Sequence, residues 1–214
     1  MEQLQLEITK NLLEINTIKI NTANPFTWAS GWKSPIYCDN RKILAYPDER
    51  ALVRDRFVEL IIEKYPNAEV IAGVATGAIA HGVLVAEKLG LPFIYVRSKP
   101  KGHGLENLIE GELNPGQQVV VIEDLVSTGE SSLKAAEAIN NFGGKVIGML
   151  SIFTYDFDVA KEKFNQAQIE LTSLSQYHVL IQMALRLKKI TEDQVQTLME
   201  WREDPANWRK NLVK

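Results

Sequence analysis

Glu123 and Asp124 stand side by side at the end of an apolar run, in the string VVVIEDLVSTGES over 119–131. A small-residue loop of Ser127, Thr128 and Gly129 follows before a helical pattern resumes. Adjacent carboxylates accept hydrogen bonds from hydroxyls, so such a pair suits the vicinal diol of a sugar. The loop suits a different group. Backbone N–H donors of a short Ser/Thr/Gly turn converge at a helix N-terminus, where the helix dipole adds positive potential, and phosphate is the natural occupant. Acids and loop together read as a cradle for a ribose 5-phosphate. Neither a Gly-Lys-Ser/Thr phosphate loop nor a G-x-G-x-x-G dinucleotide fingerprint is present. A doubly wound protein can also end a strand in Asp and cap the next helix with Ser or Thr, and the acids and loop alone leave both readings open.

A second group of chemically active side chains lies in RSKPKGHG at 97–104, where Arg97, Lys99, Lys101 and His103 alternate along a Gly-containing segment. Such a loop can fold over an anion and release it, although most charge runs are solvated turns. Elsewhere the inventory is thin. Cys38 is the one cysteine and has no identifiable base, so it reads as a small, partly buried residue and not a nucleophile. His81 reads as a packing or surface residue, and His178 has no motif around it. No Cys/His spacing offers a metal site, and the lone thiol fits a reducing cytoplasm.

The elements that must position these groups follow from periodicity. Amphipathic helices are expected over 3–16 and 48–64, with a structured loop or hairpin over 24–42, where Pro25, Pro35, Gly31, two Trp and a Tyr interrupt the pattern. EVIAGV (69–74), a helix stopped by Gly90, and PFIYVR (92–97) form a βαβ unit with parallel strands. The unit repeats as VVVI (119–122), a helix over 131–141, and KVIGMLSIF (145–153). A helix at 157–166, a strand at 169–174, a helix at 176–187 and a last helix capped by Thr191 complete the chain. The fold class is α/β: an open, mainly parallel twisted sheet flanked by helices. Its acids fall at the carboxyl ends of strands, where the ligand crevice of such sheets lies.

The 214 residues suit one well-cored domain spanning 1–214. No apolar run reaches the length of a membrane span, so a soluble protein without membrane association is expected. The opening MEQLQLEITK lacks the pattern of a secretory or mitochondrial signal, so the mature chain is expected to begin there. A net charge of −3 argues against a dedicated nucleic-acid binder.

The full string at 119–131 resembles the phosphoribosyl-diphosphate motif of the type I phosphoribosyltransferases. By that resemblance Glu123 and Asp124 hold the ribose hydroxyls, and Leu125, Val126, Ser127, Thr128, Gly129, Glu130 and Ser131 form the 5-phosphate loop. The basic loop resembles the mobile catalytic loop of the orotate phosphoribosyltransferase family. So do FTWASGWKSPIYCDNR at 26–41, similar to a hood that covers the base, and GVATGAIAHG at 73–82, similar to the diphosphate-contacting loop.

The resemblance implies an N-terminal hood over about 1–45, completed by the C-terminal part. It implies that Arg97, Lys99, Lys101 and His103 bind 5-phosphoribosyl 1-diphosphate (PRPP), with Lys101, His103 and Asp124 catalytic and Ser127 touching orotate. It also implies a homodimer whose basic loop reaches the partner's site, and Mg²⁺ carried by PRPP with no metal ligands of the protein's own. One branch of the family carries lysines where this chain has Ala29 and Gly77, and an orotate-contacting arginine where it has Tyr155. This chain resembles the other branch, and whether Lys33, Arg41 or a backbone group takes the orotate carboxylate is open. Transfer to another base, or a regulatory protein that senses PRPP, are the alternative readings.

Overall fold

The computed structural model describes residues 2–28, 30–99 and 108–209. Helix α1 (Glu2–Glu14) leads to β1 (Ile18–Ile20), the hairpin strands β2 (Phe26–Thr27) and β3 (Lys33–Ser34), β4 (Ile36–Cys38) and a 3-10 turn over Asn40–Ala45. Helix α2 (Pro47–Lys64) begins with proline, whose fixed φ suits a first turn, and carries Asp48 and Glu49 there. Then come β5 (Val70–Val74), α3 (Ile79–Leu89), β6 (Phe93–Val96), β7 (Ile109–Glu110), β8 (Gln118–Val126), α4 (Glu130–Asn141) and β9 (Lys145–Thr154). The chain ends with α5 (Asp158–Gln166), β10 (Leu171–Gln176), α6 (Tyr177–Arg186) and α7 (Glu192–Glu203). Gly90 stops α3 in the left-handed region, at φ 67°, as expected. Thr191 caps α7 in a reciprocal capping box with Gln194.

The main sheet has the order β10-β9-β8-β5-β6-β7. The first five strands are parallel, and β7 pairs antiparallel to β6 at the edge. Alternation along each strand feeds two cores. Ile71, Val120, Ile122, Leu150 and Ile152 point to the face covered by α1, α2, α3 and α6. Val70, Ala72, Val74, Val119, Val121 and Met149 point to the face covered by α4 and α5. The strand order reverses between β5 and β8, so the crevice that binds ligands in such sheets opens there.

Register makes that crevice real. β5 and β8 are partners up to Gly73 and Ile122, after which β8 runs on through 123–126 against β9 alone, with Val126 opposite Thr154. The acids therefore lie inside a strand, not after its end, because the ten-residue β9 supplies partners further than the apolar run indicated. Two boundaries and two short strands also differ from expectation. Helix α1 stops at Glu14, and Asn16 follows at φ 56°. β10 starts two residues late because the Ile169 amide is tied to the Phe164 carbonyl at the end of α5 (3.1 Å). β1 and β7, of three and two residues, have too little pattern of their own to be read without their partners.

The hairpin is anchored from behind by aromatic rings. Tyr155, just past β9, is 1% exposed and has Trp28, Phe153, Phe157 and Trp201 with ring centres at 4.9, 5.2, 5.5 and 5.7 Å. The Trp201 indole N–H donates to the Lys33 carbonyl (3.1 Å), joining α7 to the hairpin. The C-terminal α7 thus packs against the N-terminal hairpin. Among the described residues no helix is long and apolar enough to cross a membrane. Trp201→Ala removes a fully buried ring and that hydrogen bond. It should destabilise the protein by about 3–5 kcal/mol, read as a lowered midpoint in chemical denaturation, whereas a loss below about 1 kcal/mol would show the cluster to be loosely packed.

Candidate active site

A cavity of about 390 Å³ occupies the gap between the carboxyl ends of β5 and β8. Its walls are Val74, Ala75, Thr76 and Gly77 after β5, Glu123, Asp124 and Leu125 on β8, and Ser131 on α4. Cys38, Asp39 and Arg41 close it from the hood side. Asp124 lies directly over Gly77, and a β-carbon at 77 would overlap its carboxylate. A side chain at 77 therefore requires Asp124 to move.

The two acids are held by internal hydrogen bonds. Glu123 is 4% exposed; its Oε2 accepts from the Ser132 hydroxyl (2.8 Å) and its Oε1 from the Asp124 N–H (2.9 Å). Burial pushes the Glu123 carboxyl well above its ordinary value, and the neighbouring Asp124 charge adds to the rise. Asp124 is raised as well, by burial, against the opposing pull of its hydrogen bonds and of Arg41. The Asn40 side-chain amide donates to the Asp124 carbonyl (2.6 Å), tying the hood to β8 across 84 residues. Arg41, next in sequence, pairs with Asp39 (2.6 Å) at the cavity mouth.

The loop after β8 turns into α4 through Gly129 at φ 75°, where a β-carbon would also meet the Phe164 ring at 2.9 Å. No side chain caps α4, so the N–H groups of its first turn have no side-chain acceptor. A second hollow, of about 660 Å³, shares Val74, Ala75 and Ser131 with the first and adds Thr128, Arg97, Ser98 and Leu108. Its floor is the base of the basic loop. The Arg97 N–H donates to the Leu108 carbonyl (2.7 Å), and its guanidinium lies 3.4 Å from Glu110 on β7.

Residues 41–173 match the family model of the phosphoribosyl transferase domain. The orotate phosphoribosyltransferase of Bacteroides fragilis is 55% identical over 208 residues, covering 97% of this chain and 98% of that one. This chain belongs to the orotate phosphoribosyltransferase family. In the family, the orotate phosphoribosyltransferase structure from Aeropyrum pernix superposes with a TM-score of 0.74 at 26% identity, over 86% of this chain and 99% of that one. The UMP synthase of Leishmania donovani gives 0.78 at 28% identity, over 93% of this chain and 42% of that longer one.

The family's motif residues are unevenly placed around the cavities. Glu123, Asp124, Leu125 and Ser131 line the first hollow, and Arg97, Thr128, Glu130 and Ser131 line the second. Ser127 is half-exposed in the loop and lines neither, and Lys99 is exposed. The side chains of two loop residues are turned to other partners. The Val126 side chain is fully buried in the core, and its carbonyl accepts from the Tyr155 N–H (3.0 Å). The Glu130 carboxylate turns outward to Lys134 (2.7 Å), leaving its backbone N–H for the loop. Lys101, His103 and Ala29 lie outside the described residues.

Tyr155, the family's arginine position in the other branch, is sealed among aromatic rings and cannot touch a ligand. Lys33 donates to Thr27 Oγ1 along its own hairpin (2.8 Å). Cys38 lines the cavity, and burial, then Asp124 and Asp39, push its thiol up, away from nucleophilic use. His81 is buried on α3 and neutral, pushed down to about 4 by burial; His178 is exposed.

Two residues that shape the site escaped the sequence reading. Ser132 falls on the apolar stripe of α4 with Ala135, Ala136 and Ile139, and a hydroxyl at that spacing demands a buried partner, a signal available in the pattern. Asn40 carries no local signal at all, because its partner is 84 residues away. Among the described residues no three His, Cys, Asp or Glu side chains converge on a metal site.

Because the folded-state value of Glu123 lies above its ordinary 4.5, the folded protein loses stability as pH rises from there through the raised value. Glu123→Gln keeps both hydrogen bonds, with the amide oxygen accepting from the Asp124 N–H and the amide nitrogen donating to Ser132. The variant's thermal midpoint should exceed the wild type's at pH 8, and the gap should narrow as pH falls toward 4.5. A gap independent of pH would mean that the buried carboxyl is not the source.

Proposed function

We propose that this chain transfers ribose 5-phosphate from PRPP to N1 of orotate, giving orotidine 5′-phosphate and diphosphate in de novo pyrimidine biosynthesis. One observation carries the reading: a desolvated carboxylate pair on β8 adjoins an uncapped helix N-terminus at the switch point of the sheet. Diol acceptors and phosphate donors meet at the same end of β8. Orotate's ring nitrogen is nucleophilic once deprotonated, so no covalent nucleophile is needed, which accords with the raised Cys38 thiol.

The demanding part of the reaction is departure of the diphosphate as cationic character grows on the ribose ring. Glu123 and Asp124 hold the hydroxyls and place negative charge beside that ring. The N–H groups of the 127–131 loop anchor the 5-phosphate, so binding energy far from C1 positions C1 for attack. Arg97, Lys99 and Lys101 offset charge on the leaving group, and His103 donates a hydrogen bond or proton to it. Closure of the basic loop excludes water that would hydrolyse the donor.

Magnesium fits this site as an ion that arrives on the diphosphate. Its ligands would come from phosphate and water, with the acidic lining of Glu123 and Asp124 beside it. It would supply positive charge to offset that of the diphosphate. The whole chain works as one catalytic domain, as a cytoplasmic homodimer in which the basic loop of one subunit serves the site of the other.

Loss of orotate absorbance on adding PRPP and Mg²⁺ tests the central reaction, with hypoxanthine, adenine and uracil as competing acceptors. A folded protein that consumes no orotate would overturn the reading. Lys101→Ala should cut turnover by about 100-fold or more while orotate binding changes little. Mixing Lys101→Ala with Asp124→Asn chains should restore part of the activity through one intact hybrid site; heterodimers without recovery would mean that the loop serves its own subunit.

A further inference from the structure

The cavity between β5 and β8 has an acidic wall: Asp39, Glu123 and Asp124 all face it. An acceptor base that bears a ring carboxylate enters such a hollow against repulsion unless a cation meets it. Among the described residues that line the cavity, Arg41 is the one cation. We propose that Arg41 binds the ring carboxylate of the acceptor and so selects an anionic base over a neutral one. This rests on the reading of the site as one that joins orotate to ribose phosphate, and it names the residue that sets the acceptor.

Three features fit Arg41 to the task. Asn40, immediately before it, is hydrogen-bonded to the Asp124 carbonyl (2.6 Å), so the arginine starts from backbone fixed to the strand that carries the sugar-binding acids. Its side chain is 60% exposed and bonds the 18% exposed Asp39 through Nε (2.6 Å), so the guanidinium stands at the open mouth of the cavity, where a substrate carboxylate can reach it. The guanidinium presents parallel donors that match a carboxylate in two bonds. The competing cations are committed elsewhere. Lys33 bonds to Thr27 along the hairpin and does not line the cavity, and Arg97 lines the neighbouring hollow beside Glu110.

Calorimetric titration with orotidine 5′-phosphate and uridine 5′-phosphate isolates the contribution of the carboxylate, because the two nucleotides differ in that group alone. The wild type should bind the first at least about tenfold more tightly. Arg41→Ala should bring the two affinities within about twofold of each other by weakening the first and leaving the second unchanged, with Arg41→Lys between. Lys33→Ala should keep the full gap. A persisting gap in Arg41→Ala, an equal weakening of both nucleotides, or a gap erased by Lys33→Ala would each overturn the assignment, as would a wild type that does not distinguish them. A wild type that binds neither nucleotide would overturn the reading of the site itself, and the proposal with it.

Discussion

Two neighbouring carboxylates on one strand repel each other and resist dehydration, yet Glu123 is 4% exposed and Asp124 lies beside it. Several parts of the fold act to hold them. Ser132 and the Asp124 N–H occupy the two oxygens of Glu123, Asn40 fixes the Asp124 carbonyl, and Gly77 leaves the space that the Asp124 carboxylate fills. A hydrophobic pair in their place would fold more easily. Keeping acids there costs stability, as burial raises both carboxyls above their ordinary values.

The hood is not a separate cap resting on the sheet. Trp28 and Trp32 face inward, stacked at 6.3 Å, and Trp28 meets Tyr155 and Trp201 in one aromatic cluster. This fastening at the back leaves Cys38, Asp39 and Arg41 at the front, where they border the same cavity as the acids. The hood and the strand that carries the acids are therefore joined directly, by the hydrogen bond from Asn40 to Asp124. The end of β9 is thus spent on packing through the buried Tyr155, while the turn after β4 brings the exposed Arg41 to the cavity.

Periodicity in the sequence revealed the five parallel strands, the helices between them and the caps at Gly90 and Thr191, because each depends on residues within one turn or one strand of itself. The string at 119–131 likewise places carboxylates, small residues and a helix start in direct succession, and the acids and Ser131 border one cavity in the folded chain. Reading those letters could not show that β8 continues past its acids, for that depends on the length of β9. Nor could it show that Val126 is spent on the core, or that Glu130 faces Lys134.

What the sequence determined by itself is thus the class of fold and the chemistry of the donor site, both written in short-range order. Tertiary structure alone decided which distant groups complete that site. Asn40, Arg41 and Gly77 gain their roles only when the chain after β4 and the loop after β5 are brought to the end of β8. Those contacts join positions tens of residues apart, and no local preference encodes them; they exist because burying two sheet faces and an aromatic cluster leaves the chain one way to close.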